Sequence, residues 1–141
     1  MRTCLVVDDS SVTRKIAKCI LQQMGFHVLE ANDGKKALEM CRVSLPEAIL
    51  LDWNMPVMDG YEFLGELLAL PGGDRPRVVF CTMEDNVAKR ACALNAGACG
   101  YITKPFDRDV VAATFREAGI LTFTVFQGAG DGTDPAPGES L

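Results

Sequence analysis

Residues 48–60 read AILLDWNMPVMDG. An apolar run leads into one acid, Asp52, and the chain then reaches Pro56 and Gly60, both breakers of regular structure. With Pro46 closing the segment upstream, residues 47–52 (EAILLD) read as a strand too continuously apolar to have a solvated face. That is the pattern of a strand covered on both sides, as in parallel sheets flanked by helices. A carboxylate at the end of such a strand is costly to bury unless a counter-charge or a cation balances it. The function therefore turns on what else arrives at the same place.

Working outward, apolar β-prone runs recur at 3–8 (TCLVVD), 27–31 (HVLEA), 77–82 (RVVFCT) and 99–103 (CGYIT). Between them lie segments of helical spacing. Residues 10–25 place Val12, Ile16, Cys19, Ile20 and Gln23 on one stripe, with Ser10 or Ser11 as N-cap and Gly25 as stop. Asn32-Asp33-Gly34 turns the chain into a second helix carrying Ala37, Leu38 and Cys41. Residues 60–70, 84–97 and 107–119 read as the remaining three, the last with Asp107 as N-cap. Five strands alternate with five helices, which predicts βαβ units with right-handed crossovers. The expected fold class is α/β: a doubly wound (βα)5 domain with a five-stranded parallel sheet in the order 2-1-3-4-5.

The chain has 141 residues, a length that favours one domain. Apolar residues make up 48% and charged residues 23%, the balance of an ordinary globular chain. The net charge is −5 and no Lys/Arg run is dense, so nucleic acid is not expected as a partner. Cysteines at 4, 19, 41, 81, 92 and 99 form no CxxC and mostly sit in apolar runs, which predicts reduced thiols of a cytoplasmic protein. No signal peptide and no apolar stretch of membrane-spanning length is visible. From about Gln127 the sequence QGAGDGTDPAPGESL is rich in Gly and Pro and is expected to be disordered. ILTFTVF (120–126) reads either as a stray edge strand or as an apolar patch covered by a partner.

In doubly wound sheets, ligands bind at the carboxyl ends of the strands where strand order reverses. Strand one ends at Asp8-Asp9, strand three at Asp52, strand four at Thr82, and strand five just before Lys104. Taken singly, each is ordinary: a loop acid, a turn hydroxyl, a solvated lysine. Taken together they converge on one edge. Clustered carboxylates repel one another, and a hard divalent cation, magnesium or manganese, resolves the repulsion while keeping sites for phosphate oxygens. A lysine and a hydroxyl complete a set suited to phosphoryl transfer, for which aspartate is a competent nucleophile.

These residues carry a resemblance. LVVDDS (5–10), LLDWNMPVMDGYEFL (50–64), VVFCT (78–82) and GYITKPF (100–106) make the chain similar, over about residues 3–119, to two-component response regulator receiver domains. It is most like the stand-alone, CheY-like type with the flavodoxin-like fold. The resemblance implies that Asp52 is the phosphoacceptor. It implies a magnesium ion held by Asp9, Asp52 and the backbone carbonyl of Asn54, with Asp8 acting through water. Lys104 would pair with Asp52 and then with the phosphoryl group, Thr82 would donate its hydroxyl to that group, and the Lys104–Pro105 bond would be cis. Tyr101 takes the place of the aromatic switch residue. Asn54, Met83 and Glu84 flank the path of attacking water. Met83 departs from the small residue usual there and is expected to crowd that path. His27, the sole histidine, is given no part.

The resemblance further implies a phosphohistidine donor, either a histidine kinase or a histidine phosphotransfer protein. The output would be a downstream protein target bound at the face of the fourth helix, fifth strand and fifth helix (α4-β5-α5). The chain would promote only its own phosphorylation and dephosphorylation, act as a monomer, and comprise a receiver domain at 1–120 with a C-terminal extension at 121–141. The residues beyond Gly119 are too few and too polar for an output domain, so signalling by protein contact is expected, in chemotaxis, kinase control or phosphorelay shuttling. Rival readings are weaker. A phosphorylation-independent module would have no need of the full acid, Thr and Lys set. A phosphatase of the haloacid dehalogenase type needs a second Asp where Asn54 stands. A flavin carrier needs a hydroxyl- and Gly-rich loop where DDSSVTRK (8–15) stands.

Overall fold

The apolar runs and turn residues resolve into ten elements: β1 (Arg2–Val7), α1 (Ser11–Gln23), β2 (Phe26–Ala31), α2 (Gly34–Val43), β3 (Ala48–Asp52), α3 (Gly60–Leu68), β4 (Arg77–Thr82), α4 (Val87–Asn95), β5 (Gly100–Thr103) and α5 (Arg108–Glu117). They are seen in a computed structural model that describes residues 2–121. The strands form one parallel sheet in the order β2-β1-β3-β4-β5, the order read from the sequence. Every residue of β3 is buried, as is every residue of β4 after Arg77. β2, at an edge, shows mixed burial.

Because side chains alternate along a strand, the sheet feeds two cores. Leu5, Val7, Ile49, Leu51, Val78 and Phe80 point to the face covered by Ala37 and Leu38 of α2, Phe63, Leu64 and Leu67 of α3, and Ala93 of α4. Cys4, Val6, Leu50, Val79, Cys81 and Ile102 point to the other face, covered by Ala17 and Leu21 of α1 and Val111 and Phe115 of α5. Each helix starts on a side-chain cap: Ser10, Asp33, Asp59, Asn86 and Asp107 accept from the backbone three residues on. At α3, Glu62 also reaches back to the Asp59 N–H, completing a capping box.

The stripe expected to bury α1 is a correction. Val12 is 65% exposed, Ile16 is 48% exposed, and Cys19 is exposed as well. The buried contacts are Ala17 and Leu21, with Ile20 and Met24 packing alongside. The helix is rotated by about one residue from the expected phase. Alanine scores weakly in an apolar pattern, yet Ala17 is the residue small enough to let the helix lie close to the sheet. Helix ends also move inward: α4 begins at Val87 behind its Asn86 cap, not at 84. Ile120 is buried in the second core and Leu121 packs against it. The rest of the 120–126 reading, and the extension after it, lie outside the described residues.

Gly60 does more than open α3. A Cβ there would sit 2.3 Å from the Asp52 carbonyl oxygen and 3.0 Å from the Phe80 ring. Its N–H donates to the Trp53 carbonyl at 2.9 Å. The helix thus packs directly on the backbone that presents Asp52, and any side chain forces the two apart. Gly60→Ala is expected to lower stability by roughly 1–3 kcal/mol, the usual cost of overpacking. Urea denaturation measures it, and an unchanged midpoint would show that α3 can shift freely away from β3.

Candidate functional site

Among the described residues, the buried polar side chains are Asp8, Asp52 and Thr82, and all three stand at the carboxyl edge of the sheet. Pairing registers explain the convergence. Val7 lies beside Leu51 and Asp52 beside Cys81, so β1, β3 and β4 end level with one another. Carboxylate oxygens of Asp8, Asp9 and Asp52 all lie within 4.8 Å of one another. Asp9 is exposed at the rim.

Lys104 enters from β5. Its N–H donates to the Thr82 carbonyl at 2.7 Å, which fixes where the side chain starts. Its Nζ donates to Asp8 Oδ2 at 2.7 Å and lies 3.3 Å from Asp52 Oδ1. The expected Asp52 pairing is present, with Asp8 the nearer partner. The Lys104–Pro105 bond is cis. Asp8 is held from its other side by the Ser10 N–H, on Oδ1 at 2.9 Å. Its carbonyl accepts from Arg14 Nη1 at 2.7 Å, and Arg14 in turn pairs with Glu30 at 3.1 Å. No sequence motif pointed to this arginine. It lies one helical turn beyond the acids and clamps the loop that carries them.

The charges show in the titration of Asp52. Burial, then the neighbouring Asp8, pushes its carboxyl up from 3.8 to about 6; Lys104 pulls the other way and Asp9 adds to the rise. Burial alone would lower the Lys104 ammonium, but its hydrogen bond to Asp8 and the charges of Asp52 and Asp8 outweigh that and leave it raised. One lysine therefore does not neutralise three acids. The donor set is hard oxygen, crowded and short of positive charge, which fits a divalent cation of the magnesium kind. Cys81, beside Asp52, is no competing nucleophile, since burial pushes its thiol up to about 12.

The surrounding loops are also defined. Thr82 is fully buried and its hydroxyl accepts the Glu84 N–H at 3.4 Å. Tyr101 is buried, with its hydroxyl donating to the Glu84 carbonyl at 2.8 Å and Arg90 4.8 Å from its ring. Glu84 pairs with Lys89, whose ammonium sits 4.7 Å over the Trp53 ring. Trp53 stacks on Tyr61 and touches Phe80. Met83 is 73% exposed, and Asn54 is exposed as well. In the loop between, Met58 N–H donates to the Pro56 carbonyl at 2.7 Å around Val57, which has φ 72°. That is a strained γ-turn on a β-branched residue.

A doubly wound domain with acids, a threonine and a lysine at its carboxyl edge is the arrangement of the receiver class. The chain matches the response regulator receiver domain family over residues 4–116, and it belongs to that family. It is 39% identical over 112 residues to the response regulator MprA of Mycobacterium leprae (strain TN), covering 79% of this chain and 48% of that protein. MprA of Mycolicibacterium vanbaalenii is 37% identical over 127 residues, 90% of this chain and 54% of that one. The chain spans about half the length of these curated relatives. Among solved structures, the chemotaxis response regulator CheY4 of Vibrio cholerae superposes with a TM-score of 0.79 at 30% identity, over 84% of this chain and 98% of that one. The receiver domain of sensor histidine kinase PA1611 from Pseudomonas aeruginosa PAO1, solved with magnesium coordinated in its active site cleft, gives a TM-score of 0.74 at 29% identity, over 84% of this chain and 98% of that one.

The raised Asp52 carboxyl has a consequence for stability. The folded state holds this proton more tightly than the unfolded chain, so the group favours folding at low pH. That contribution is lost as pH rises from about 4 through about 6. In the absence of divalent cation, the stability of the native chain relative to Asp52→Asn is expected to fall by roughly 2 kcal/mol between pH 4 and pH 7. Paired urea titrations across that range measure it, and a pH-independent difference would mean that Lys104 already balances Asp52.

Proposed function

We propose that Asp52 accepts a phosphoryl group from the phosphohistidine of a histidine kinase or histidine phosphotransfer protein. In this reading the Asp52-phosphorylated form signals by binding another protein. One observation carries it: a buried carboxylate stands among two further acids with a lysine ammonium at 3.3 Å. In the transfer, an Asp52 oxygen forms a bond to phosphorus as the phosphorus–nitrogen bond breaks, and the electron pair returns to the donor imidazole. Lys104 turns from the carboxylates to a phosphoryl oxygen, and Thr82 offers its hydroxyl to another. Asp9, Asp52 and the Asn54 carbonyl would hold magnesium, with Asp8 acting through water; the ion, when bound, offsets the charge of the acids and of the incoming phosphoryl oxygens. The donor expected for such a reaction sets the working compartment as the cytoplasm.

Two surfaces support the partners. The exposed Val12 and Ile16 lie on α1, which begins two residues after Asp9, so an apolar strip adjoins the acids where a donor must approach. Val87 and Leu94 of α4 and Val110 of α5 are exposed, and Arg90 of α4 lies over the ring of the buried Tyr101 of β5, in keeping with an output face built from α4, β5 and α5. Thr82 and Tyr101 meet through the Glu84 backbone, so a hydroxyl drawn toward phosphate would be felt by the ring.

Incubation with a small phosphodonor and magnesium is expected to label the native chain and not Asp52→Asn, read by intact mass; label retained in the variant would move the acceptor elsewhere. Ile16→Asp is expected to slow transfer from a phosphohistidine protein at least tenfold while leaving small-donor labelling unchanged, since only the protein donor needs the α1 strip. Equal loss with both donors would tie the effect to folding. Met83→Ala is expected to be labelled and to lose its label faster than the native chain. Equal rates would place the exposed thioether clear of the path. Pull-down with the phosphate-mimicking beryllofluoride form beside Asp52→Asn assigns the pathway: a motor switch protein means motility, a kinase or phosphotransfer protein means a relay.

A further inference from the structure

The opposite edge of the sheet holds a second concentration of charge, of the other sign. Arg2 is the first residue of β1 and Arg77 the first of β4. They line one open cavity of about 750 Å³ together with Arg42 at the end of α2 and Arg75 in the loop before β4. Leu45, Pro46, Leu70 and Pro71 supply an apolar wall. Among the described residues, the lining contains no lysine and no aromatic ring. The one carboxylate among the described lining residues, Glu47, is already held by the Thr3 N–H at 2.8 Å. None of the four guanidinium groups makes an ion pair or hydrogen bond with another described residue; Arg2 lies 5.2 Å over the Phe26 ring, and the Arg75 guanidinium packs over Gly72.

Four guanidinium groups around one concavity, with no ion-pair partner among the described residues, are an arrangement that like-charge repulsion opposes. Arginine presents a planar fork that matches phosphate and carboxylate oxygens two at a time. The cavity has the size of a small-molecule site. An extended polyanion would have to lie against a net acidic protein, and a nucleobase would find no ring to stack on among the described lining residues. We propose that this cavity binds a compact, non-aromatic ligand carrying two or more phosphate or carboxylate groups. The site is separate from the acidic edge: it lies at the amino ends of the strands whose carboxyl ends carry Asp8, Asp52 and Thr82.

Inorganic pyrophosphate is a suitable probe, titrated into the full chain without divalent cation so that the acidic edge repels it. Backbone amide NMR is expected to show saturable shifts at 42–47, 70–77 and Gly119. Arg42→Gln and Arg77→Gln, both exposed positions, are each expected to weaken binding by about tenfold with an unchanged urea midpoint. Absence of saturation, the same shifts with sodium chloride at matched ionic strength, or undiminished affinity in both variants would overturn the proposal. So would binding seen only when Asp131, Asp134 and Glu139 are changed to amides, because the chain's own acids would then be the occupant.

Discussion

Carboxylates that would otherwise repel are held together at the carboxyl edge of the sheet, and the local structure is organised around tolerating them. Asp8 and Asp52 are buried, and with Asp9 they place three acidic oxygens within a span of 4.8 Å. The sheet enforces this because its central strands end in register and cannot slip without moving every core side chain to the wrong face. The counter-measures come from separate elements: Lys104 from β5, the Ser10 N–H from the start of α1, and the Arg14 clamp on the Asp8 carbonyl. Even so, burial first and the neighbouring Asp8 second keep the Asp52 carboxyl above its ordinary value. A site left short of positive charge is one prepared to receive it from a cation.

The backbone nearby is constrained as well. Gly60 admits α3 against the Asp52 carbonyl, and Val57 sits in a turn that a β-branched residue disfavours. The Asp59–Glu62 capping box fixes the far end of that loop. The loop is thus held at both ends, at Trp53 through its bond from Gly60 and at the start of α3 through its caps. Asp52 is thus presented from a strand end and loop that are held on both sides.

Much of this was legible in the sequence, for physical reasons. A strand buried on both faces must be continuously apolar, so 48–51 announced itself, and the acid that ended it stood out. Alternation of such runs with helical spacing left one economical closure, and strand order followed. The phase of α1 was not legible. Val12, Ile16 and Cys19 are as regularly spaced as the residues that are buried, and only packing distinguishes the stripe that faces the sheet from the stripe that faces solvent. The Arg14 clamp was not legible because it closes on a backbone carbonyl, and on Glu30 sixteen residues away, neither of which sequence spacing displays. The arginine cavity escaped for a related reason. Its four members come from widely separated positions, and each is an unremarked surface residue until the amino ends of the strands are brought side by side.

Trp53 is the chain's sole tryptophan, and it is joined by one peptide bond to Asp52. Its ring is half-buried, stacked on Tyr61, with an ammonium 4.7 Å from its face. Indole emission responds to nearby charge and to the packing of adjacent rings. The protein therefore carries its one indole at the place where charge is expected to change, free of background from any other indole. Occupancy of the acidic edge becomes an optical quantity, readable in solution without a label.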